Sequence, residues 1–256
     1  MSAVVDELLA AERERREVEC FSSRGLGFSL EEGYAYQWEG IERKLAMGDT
    51  LVGAKLGLTS KAKQRQMNVD EPGYGWLLAS GWLPPEEPVQ LDQLIHPRIE
   101  PEIVFHLAED IAGPGVTGRD VLDATAGITC GIEVIDSRYQ AFKFTLADVV
   151  ADNTSAARYV FGTQMVHPSE IPSLPLLGML LEVDGDLHAT ACGAAILGSP
   201  ADAIAGFANW LGERGRKLEA GWVVMSGGLT DAVALTSGIT ITATFSQLGT
   251  INLRAV

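Results

Sequence analysis

The chain has 256 residues, enough for one large domain or for a small helical domain on a bigger core. Its 34 acidic and 19 basic residues give a net charge of −15, which repels nucleic-acid phosphates and anionic lipid headgroups, so binding to either is not expected. An acidic protein that binds an anionic substrate needs a local positive centre, and a bound cation is the simplest one.

The apolar runs and the cysteines predict the cellular setting. No stretch reaches the roughly 20 consecutive apolar residues of a membrane-spanning helix, and the segment AAERERREVE lacks the apolar run of a signal peptide. A cytoplasmic protein is therefore expected. Cys20, Cys130 and Cys192 are widely spaced and form no CxxC pair, which predicts reduced thiols rather than a disulfide framework or a zinc site.

Residues 1–50 have the pattern of a helical segment. Apolar side chains recur at helical spacing in two runs, the second of which passes through Tyr34 and Trp38. Ser29 precedes this run and Glu32 follows three residues later. This is a capping-box pattern, and it predicts that a helix starts near Ser29.

From residue 51 onward the composition is typical of strands, because short β-branched runs are separated by Gly, Pro and Asp. Asp184-Gly185 lies between the alternating segments of 179–189, which predicts a β-hairpin. Apolar residues at helical spacing predict a helix over 200–214. The sequence therefore predicts an α+β fold, with a helical segment over 1–50 packed on a sheet-rich domain over 51–256.

Glu100 and Glu102 form the sharpest local feature. Strand alternation in Arg98–Leu107 places both carboxylates on one face, about 7 Å apart along the chain, which suits two ligands of one cation. Like charges this close disfavour each other's ionisation unless a cation neutralises them. A solvated strand face is the commoner explanation of such a pair on its own. Pro101 between them predicts an edge strand or a bulge.

Glu133 lies in an alternating run, 129–135, that is otherwise apolar. An unpaired carboxylate there would cost on the order of several kcal/mol of desolvation, so Arg98, Arg138 or a metal ion should neutralise it. Three carboxylates without thiolates or paired histidines favour a hard cation, Mg²⁺ or Mn²⁺, with water and substrate in the remaining coordination positions.

Several other polar residues leave alternatives open. Lys55 has small and apolar neighbours and is either a proton shuttle or anion anchor, or a strand lysine whose ammonium reaches solvent. Arg138 and Lys143 are candidates for binding a second substrate carboxylate. His106 shares the strand face of Glu100, where a lone histidine is more often a structural hydrogen-bonding residue. A nucleotide cofactor is not expected, because no GxGxxG or Walker pattern occurs and Ser226-Gly227-Gly228 has two glycines only.

Five blocks, taken in order, resemble those of a known family: KLGLTSKAKQRQMNVDEPGYGWL, LIHPRIEPEIVF, GIEVIDSRY, VVADNTS and VMSGGLT. From about Leu51 to the C-terminus the chain resembles the hydratase/decarboxylase branch of the fumarylacetoacetate hydrolase superfamily. The resemblance implies a mixed β-roll catalytic core with flanking helices. It also implies that Glu100, Glu102 and Glu133 bind Mg²⁺ or Mn²⁺.

The same resemblance implies candidate catalytic residues. The lysine of the family's K-x-G-L-T block falls on Lys55, and the serine of its ADN-x-S block falls on Ser155. The chemistry of decarboxylation makes Arg138, in the GIEVIDSRY block, or Lys143 the candidate for orienting the carboxylate that leaves. Lys55, Ser155 and Arg138 are therefore predicted to act on the substrate.

Within this branch the resemblance favours Mg²⁺-dependent decarboxylation of 2-oxo-3-hexenedioate (4-oxalocrotonate) to 2-hydroxypenta-2,4-dienoate, a step of aromatic meta-cleavage catabolism. Gly73 stands where hydratases of the branch tend to carry an aspartate. Hydration of 2-oxopent-4-enoate is the first alternative, and a carbon–carbon hydrolase is another. A non-catalytic partner subunit of a hydratase is disfavoured by the retained carboxylates and Lys55. A homo-oligomer is expected, and the resemblance implies a complex with such a hydratase.

Overall fold

The structure of the chain, a computed structural model, describes residues 2–61, 64–65, 69 and 71–256. Part of the block KLGLTSKAKQRQMNVDEPGYGWL, at 62–63, 66–68 and 70, lies outside the described residues. Helices α1 (Ala3–Glu14) and α2 (Leu30–Ala46) precede the first strand. The helical segment predicted before residue 50 is therefore confirmed.

Two β-sheets make up most of the rest. In the described part of the chain the larger sheet has seven strands: β1 (Leu51–Gly57), β2 (Gly73–Leu78), β3 (Arg98–Leu107), β4 (Thr125–Ile135), β5 (Ala156–Phe161), β8 (Val223–Met225) and β9 (Val233–Ala234). The smaller sheet contains β6 (Gly178–Val183), β7 (Asp186–Cys192), β10 (Thr240–Phe245) and β11 (Gly249–Arg254). Helices α3 (Gly118–Asp123), α4 (Leu146–Ala151) and α5 (Pro200–Gly212) lie in the connections.

The larger sheet is mixed and has the strand order β2-β1-β8-β3-β4-β5, with β9 paired to the start of β3. β1 and β8 run parallel, whereas β3 and β4 form a long antiparallel pair at the centre. A mixed sheet that curls into a half-barrel with helices around it is the predicted α+β fold.

One face of the larger sheet packs into the main apolar core. Ile99, Ile103 and Phe105 of β3 are fully buried there, in a cluster that also contains Phe207 of α5 and Phe245 of the smaller sheet. Strand alternation then places the even-numbered side chains of β3, including both glutamates, on the opposite face. Burial of the apolar face thus determines where the acidic face points.

Two local signals are confirmed in detail. The Ser29 hydroxyl accepts a hydrogen bond from Glu32 N at 3.2 Å, and Ser29 N donates to the Glu32 carboxylate at 2.8 Å, so α2 begins with a complete capping box. Asp184 and Gly185 have φ values of 53° and 86°. Positive φ at both central residues is the requirement of a type I′ turn, and it joins β6 to β7 as predicted.

The structure also bears on the expected state of the cysteines and on the expected lack of a membrane-spanning helix. Cys20, Cys130 and Cys192 are all free thiols, and burial raises the pKa of Cys130 to about 11. None of the helices in the described residues combines the length and the apolar character needed to cross a bilayer.

Helix α2 is attached to the sheet through a buried amide. Gln37 is 3% exposed, and its Nε2 donates to the carbonyl oxygens of Tyr74 at 2.7 Å and of Val150 at 2.9 Å. These two bonds join α2 to β2 and to the end of α4. The division into 1–50 and 51–256 stays a prediction.

We expect Gln37→Leu to lower the free energy of unfolding by roughly 1–3 kcal/mol, because it removes the donor from two buried carbonyl groups. Denaturant unfolding measures this. The matched control is Gln93→Leu, at an exposed position, which should change stability by less than about 0.5 kcal/mol. Equal effects of the two substitutions would contradict the anchoring role.

Candidate metal centre

Glu100, Glu102 and Glu133 converge on the face of the larger sheet that lies opposite the main core. The register of β3 and β4 sets Glu100 directly across from Glu133, and one carboxylate oxygen from each residue lies within 4.8 Å of the others. They are 9%, 0% and 1% exposed, respectively. The structure therefore brings together the three predicted ligands and buries them, which excludes a solvated strand face.

Pro101 lies in neither an edge strand nor a bulge. β3 is flanked by β4 throughout, but on its other side β8 pairs only with Val104–His106 and β9 only with Arg98 and Ile99. Pro101 occupies the gap between them, where its carbonyl accepts from Leu229 N at 3.0 Å. In an antiparallel pair the backbone N and O of one residue point to the same side. Those of Pro101 point away from β4, so its missing N–H removes no hydrogen bond between β3 and β4.

A loop after β8 reaches the carboxylates through two glycines. Gly227, with φ +109°, donates its N–H to Glu102 Oε2 at 2.7 Å. A Cβ atom on Gly228 would lie 2.6 Å from Glu100 Cδ, so a side chain at this position would require the Glu100 carboxylate to shift. Sequence reasoning assigned no role to this pair, although two adjacent glycines directly after a strand were a usable signal.

Lys55 is buried beside the carboxylates. It is 2% exposed, and its Nζ lies 3.0 Å from Glu133 Oε2 and donates to Thr154 O at 3.0 Å. Gly75 faces Lys55 across the β1–β2 pair, and a Cβ there would lie 3.1 Å from Lys55 Cδ. The ammonium therefore points into the site rather than to solvent.

Asn153, Thr154 and Ser155 follow α4 in a left-handed conformation, with φ values of 49°, 49° and 60°. Such a run is unfavourable for non-glycine residues and needs support from its surroundings. Asn153 provides it: its Oδ1 accepts from Trp76 N at 2.8 Å and its Nδ2 donates to Trp76 O at 2.9 Å. This segment presents the Thr154 carbonyl to Lys55, a role for Asn153 that sequence reasoning missed.

Arg138 supports the same segment from the other side. Its guanidinium is buried against Asp152, donating to the carboxylate and to the backbone carbonyl of that residue, and it donates to Ala156 O at 3.3 Å. Neither Arg138 nor the exposed Lys143 lines the cavity described below. The geometry thus gives Arg138 a structural role, and its catalytic role stays a prediction without support from the contacts.

The contacts of His106 are those of a structural residue. Its Nε2 is 3.0 Å from Thr129 Oγ1, and its ring meets Phe161 edge-on. Burial lowers the pKa of His106. It is a structural hydrogen-bonding residue, the commoner of the two roles considered for it.

The carboxylates fit a divalent cation. Among the described residues, Glu102 Oε1 and Glu133 Oε1 are buried without any hydrogen-bond partner. Burial raises the pKa of both side chains; the charge of Glu133 raises that of Glu102 further, while Lys55 opposes the shift at both. Lys55 does not satisfy these two oxygens of Glu102 and Glu133, and a hard cation would accept their lone pairs.

A cavity of about 420 Å³ opens beside these residues. Its polar lining comprises Lys55, Arg98, Glu100, Thr154, Ser155 and Asp231, and Phe142 and Phe144 supply aromatic walls. Such a volume suits a small molecule that reaches a cation at the carboxylates. The sequence indicates Arg98 only as a neutralising partner of Glu133, although its even position on β3 places it on the face of Glu100.

The raised carboxyl pKa values predict how metal binding depends on pH. A raised folded-state pKa contributes stability that is present below the unfolded value, ordinarily 4.5, and is lost as pH rises through the folded value. Mg²⁺ requires the deprotonated carboxylates. The increase in Tm that Mg²⁺ causes should therefore be larger at about pH 8 than at about pH 5.5, as measured by scanning calorimetry with excess Mg²⁺ or with chelator.

Two variants control that measurement. Glu102→Gln keeps the acceptor for Gly227 N but removes a charge, so it should lose the Mg²⁺-induced shift while remaining folded. Glu109→Gln, at an exposed position, should keep it. A shift of equal size at both pH values, or one retained in Glu102→Gln, would argue against this centre.

Gly228→Ala tests the approach of the loop. The added methyl group would lie 2.6 Å from Glu100 Cδ, so the carboxylate must move. We expect Mg²⁺ affinity to fall roughly 10- to 100-fold, as for other changes that misplace a ligand, when it is measured by titration calorimetry. Gly206→Ala, where no atom lies within 4 Å of the new Cβ, should bind Mg²⁺ normally. Unchanged affinity in Gly228→Ala would contradict the role of the glycine.

Three comparisons with known proteins agree with this geometry. A 4-oxalocrotonate decarboxylase from Pseudomonas putida is 42% identical over 225 residues, covering 88% of this chain and 85% of that protein. A 2-hydroxypent-2,4-dienoate hydratase from Pseudomonas putida is also 42% identical, over 82% of this chain and 95% of its own length. The solved structure of 4-oxalocrotonate decarboxylase from Pseudomonas putida G7, complexed with magnesium and adipate, superposes with a TM-score of 0.95 at 37% identity, covering 99% of this chain and 96% of that one.

The family model for the fumarylacetoacetate (FAA) hydrolase C-terminal region matches residues 48–256, which includes all the residues of the carboxylate cluster, the cavity and Lys55. This match spans most of the chain, and the relatives above each cover at least 82% of it. The chain therefore belongs to the fumarylacetoacetate hydrolase family.

Proposed function

We propose that this protein is a Mg²⁺-dependent carboxy-lyase that converts 2-oxo-3-hexenedioate (4-oxalocrotonate) to 2-hydroxypenta-2,4-dienoate and carbon dioxide. The observation that carries the proposal is the buried group of three carboxylates with Lys55, opening onto a cavity with a second cationic side chain, Arg98. Relatives named as 4-oxalocrotonate decarboxylases support this choice of substrate.

The reaction needs an electron sink and no oxidant. The bond between C5 and the C6 carboxylate breaks, carbon dioxide leaves, and the electron pair moves through the conjugated chain to the 2-oxo oxygen, which takes up a proton. A divalent cation held by Glu100, Glu102 and Glu133 would supply Lewis acidity at that oxygen. An organic cofactor is not required.

The protein's own residues then have distinct roles. Lys55 Nζ lies next to Glu133, where it can stabilise charge that develops on the substrate or move a proton at the 2-oxo oxygen. Ser155 lines the same cavity and is the second candidate for contact with the substrate. The aromatic walls formed by Phe142 and Phe144 reduce the access of water to the reacting chain.

Hydration of 2-oxopent-4-enoate is the second candidate function, because the hydratase relative is as similar in sequence, at 42% identity, as the decarboxylase relative. Gly73 lines the cavity without a side chain that could transfer a proton to or from water. This favours decarboxylation. We further propose that the enzyme works in the cytoplasm, in aromatic meta-cleavage catabolism, as a homo-oligomer or in complex with a hydratase that consumes its product.

The purified protein with Mg²⁺ should release carbon dioxide from 2-oxo-3-hexenedioate, with a matching rise of the dienoate in ultraviolet absorbance. Lys55→Met should lower kcat by about 100-fold or more, the usual cost of losing an acid–base or charge-stabilising group. Its Mg²⁺ affinity should be equal or higher, because a competing positive charge is gone.

Lys217→Met, an exposed lysine in an ion pair with Asp110, is the control and should retain full activity. Turnover of 2-hydroxypenta-2,4-dienoate without any release of carbon dioxide would replace the decarboxylase proposal with the hydratase. Normal kcat in Lys55→Met would remove that residue from the reaction.

A further inference from the structure

We propose that Arg98 binds the distal carboxylate of the substrate and makes the cavity selective for 2-oxo dicarboxylates over 2-oxo monocarboxylates. The inference rests on the proposed function, since it concerns the far end of the same substrate. Arg98 and Lys55 are the cationic side chains among the described residues that line the cavity, and Lys55 is already engaged by Glu133 and Thr154.

The position of Arg98 fits this role. It stands two residues before Glu100 on the same face of β3, about 7 Å away along the strand. A substrate whose 2-oxo acid end lies at the three carboxylates therefore directs its far end toward Arg98. The separation suits an extended six-carbon chain within the reach of an arginine side chain.

Phe142 contacts the Arg98 guanidinium without using its hydrogen-bond donors. Its Cζ lies 4.1 Å from the centroid of the Phe142 ring. This stacking occupies a face of the guanidinium and leaves its N–H edges for a planar carboxylate. In the described part of the chain, Arg98 makes no side-chain hydrogen bond or ion pair, and Asp231, which also lines the cavity, is not within ion-pair distance of it.

Phe142 is itself fixed in place. Ala141 and Phe142 both have positive φ, 52° and 55°, a conformation that persists only when the surroundings impose it. The His96 ring packs on Phe142 with the centroids 4.6 Å apart, and His96 Nε2 lies 2.7 Å from Ser137 O. Asp136 adds a further constraint by accepting from His96 N at 2.8 Å. The stacked side chains of His96, Phe142 and Arg98 therefore fix the direction of the Arg98 guanidinium before any ligand binds.

The chemistry of the reaction limits how tightly this carboxylate is bound. The distal carboxylate loses its charge as carbon dioxide forms, so an ion pair with Arg98 stabilises the bound substrate more than the transition state. Arg98 therefore acts on binding and selection rather than on bond cleavage. Removing it should raise KM without lowering kcat.

Two inhibitors that differ only at the far end test this directly: 2-oxoadipate, which has the distal carboxylate, and 2-oxohexanoate, which lacks it. Their affinities for the Mg²⁺-loaded protein are measured by titration calorimetry, so the result does not depend on turnover. Arg98→Gln should weaken 2-oxoadipate roughly 10- to 100-fold, the range for a lost hydrogen-bonded charge. It should leave 2-oxohexanoate within about twofold, because that ligand has no group for Arg98 to bind.

Further variants keep the test decisive. Arg98→Lys retains the charge without the planar fork and should give an intermediate loss. Phe142→Leu keeps Arg98 but removes its platform, so it should weaken 2-oxoadipate selectively even if Arg98→Gln fails to fold. Arg119→Gln, an exposed arginine paired with Asp123, is the control and should bind both ligands normally.

The outcomes separate this inference from the proposed function. Equal weakening of both inhibitors, or no weakening of either, in Arg98→Gln and Phe142→Leu would overturn the role of Arg98. A wild-type protein that prefers 2-oxoadipate but releases no carbon dioxide from 2-oxo-3-hexenedioate would support this role of Arg98 while refuting the decarboxylase function.

Discussion

The crowding of three buried carboxylates is the physical constraint on which the rest of this structure depends. One carboxylate oxygen from each of Glu100, Glu102 and Glu133 lies within 4.8 Å of the others, and all three side chains are buried. Their mutual repulsion is large in such an environment and must be offset by positive charge and by oriented N–H dipoles. Lys55 and Gly227 N each supply part of this compensation, and the geometry leaves room for a dication to supply the rest.

The position of Lys55 depends on buried polar contacts around the turn after α4. Arg138 donates a hydrogen bond to the Asp152 carboxylate. The side-chain amide of Asn153 pairs with the backbone N–H and carbonyl of Trp76, as a neighbouring strand would. Asn153, Thr154 and Ser155 have a left-handed backbone that would be unstable in isolation. This backbone places the Thr154 carbonyl where it accepts the hydrogen bond from Lys55. Arg138 and Asn153 therefore stabilise this turn and, through the Thr154 carbonyl, also position the Lys55 ammonium.

Features with a local physical cause could be predicted from the sequence, whereas those that depend on distant partners could not. Strand periodicity placed Glu100 and Glu102 on one face, and the desolvation cost of a lone carboxylate indicated that Glu133 needs a cation. Arg138 illustrates the limit: its charge suggested a substrate contact, but its partner Asp152 becomes apparent only when the chain is folded. The close contact that a side chain at Gly228 would make with Glu100 likewise involves a residue more than a hundred positions away.

Pro101 limits the pairing between β3 and the loop after β8. It has no N–H to donate on that side, so the bond from Leu229 N to Pro101 O has no reciprocal partner. Between Ser226, whose N donates to Ile103 O, and Leu229, the two glycines of the loop approach Glu102 and Glu100. A single imino acid at this position therefore favours a loop rather than a continued strand beside the carboxylates.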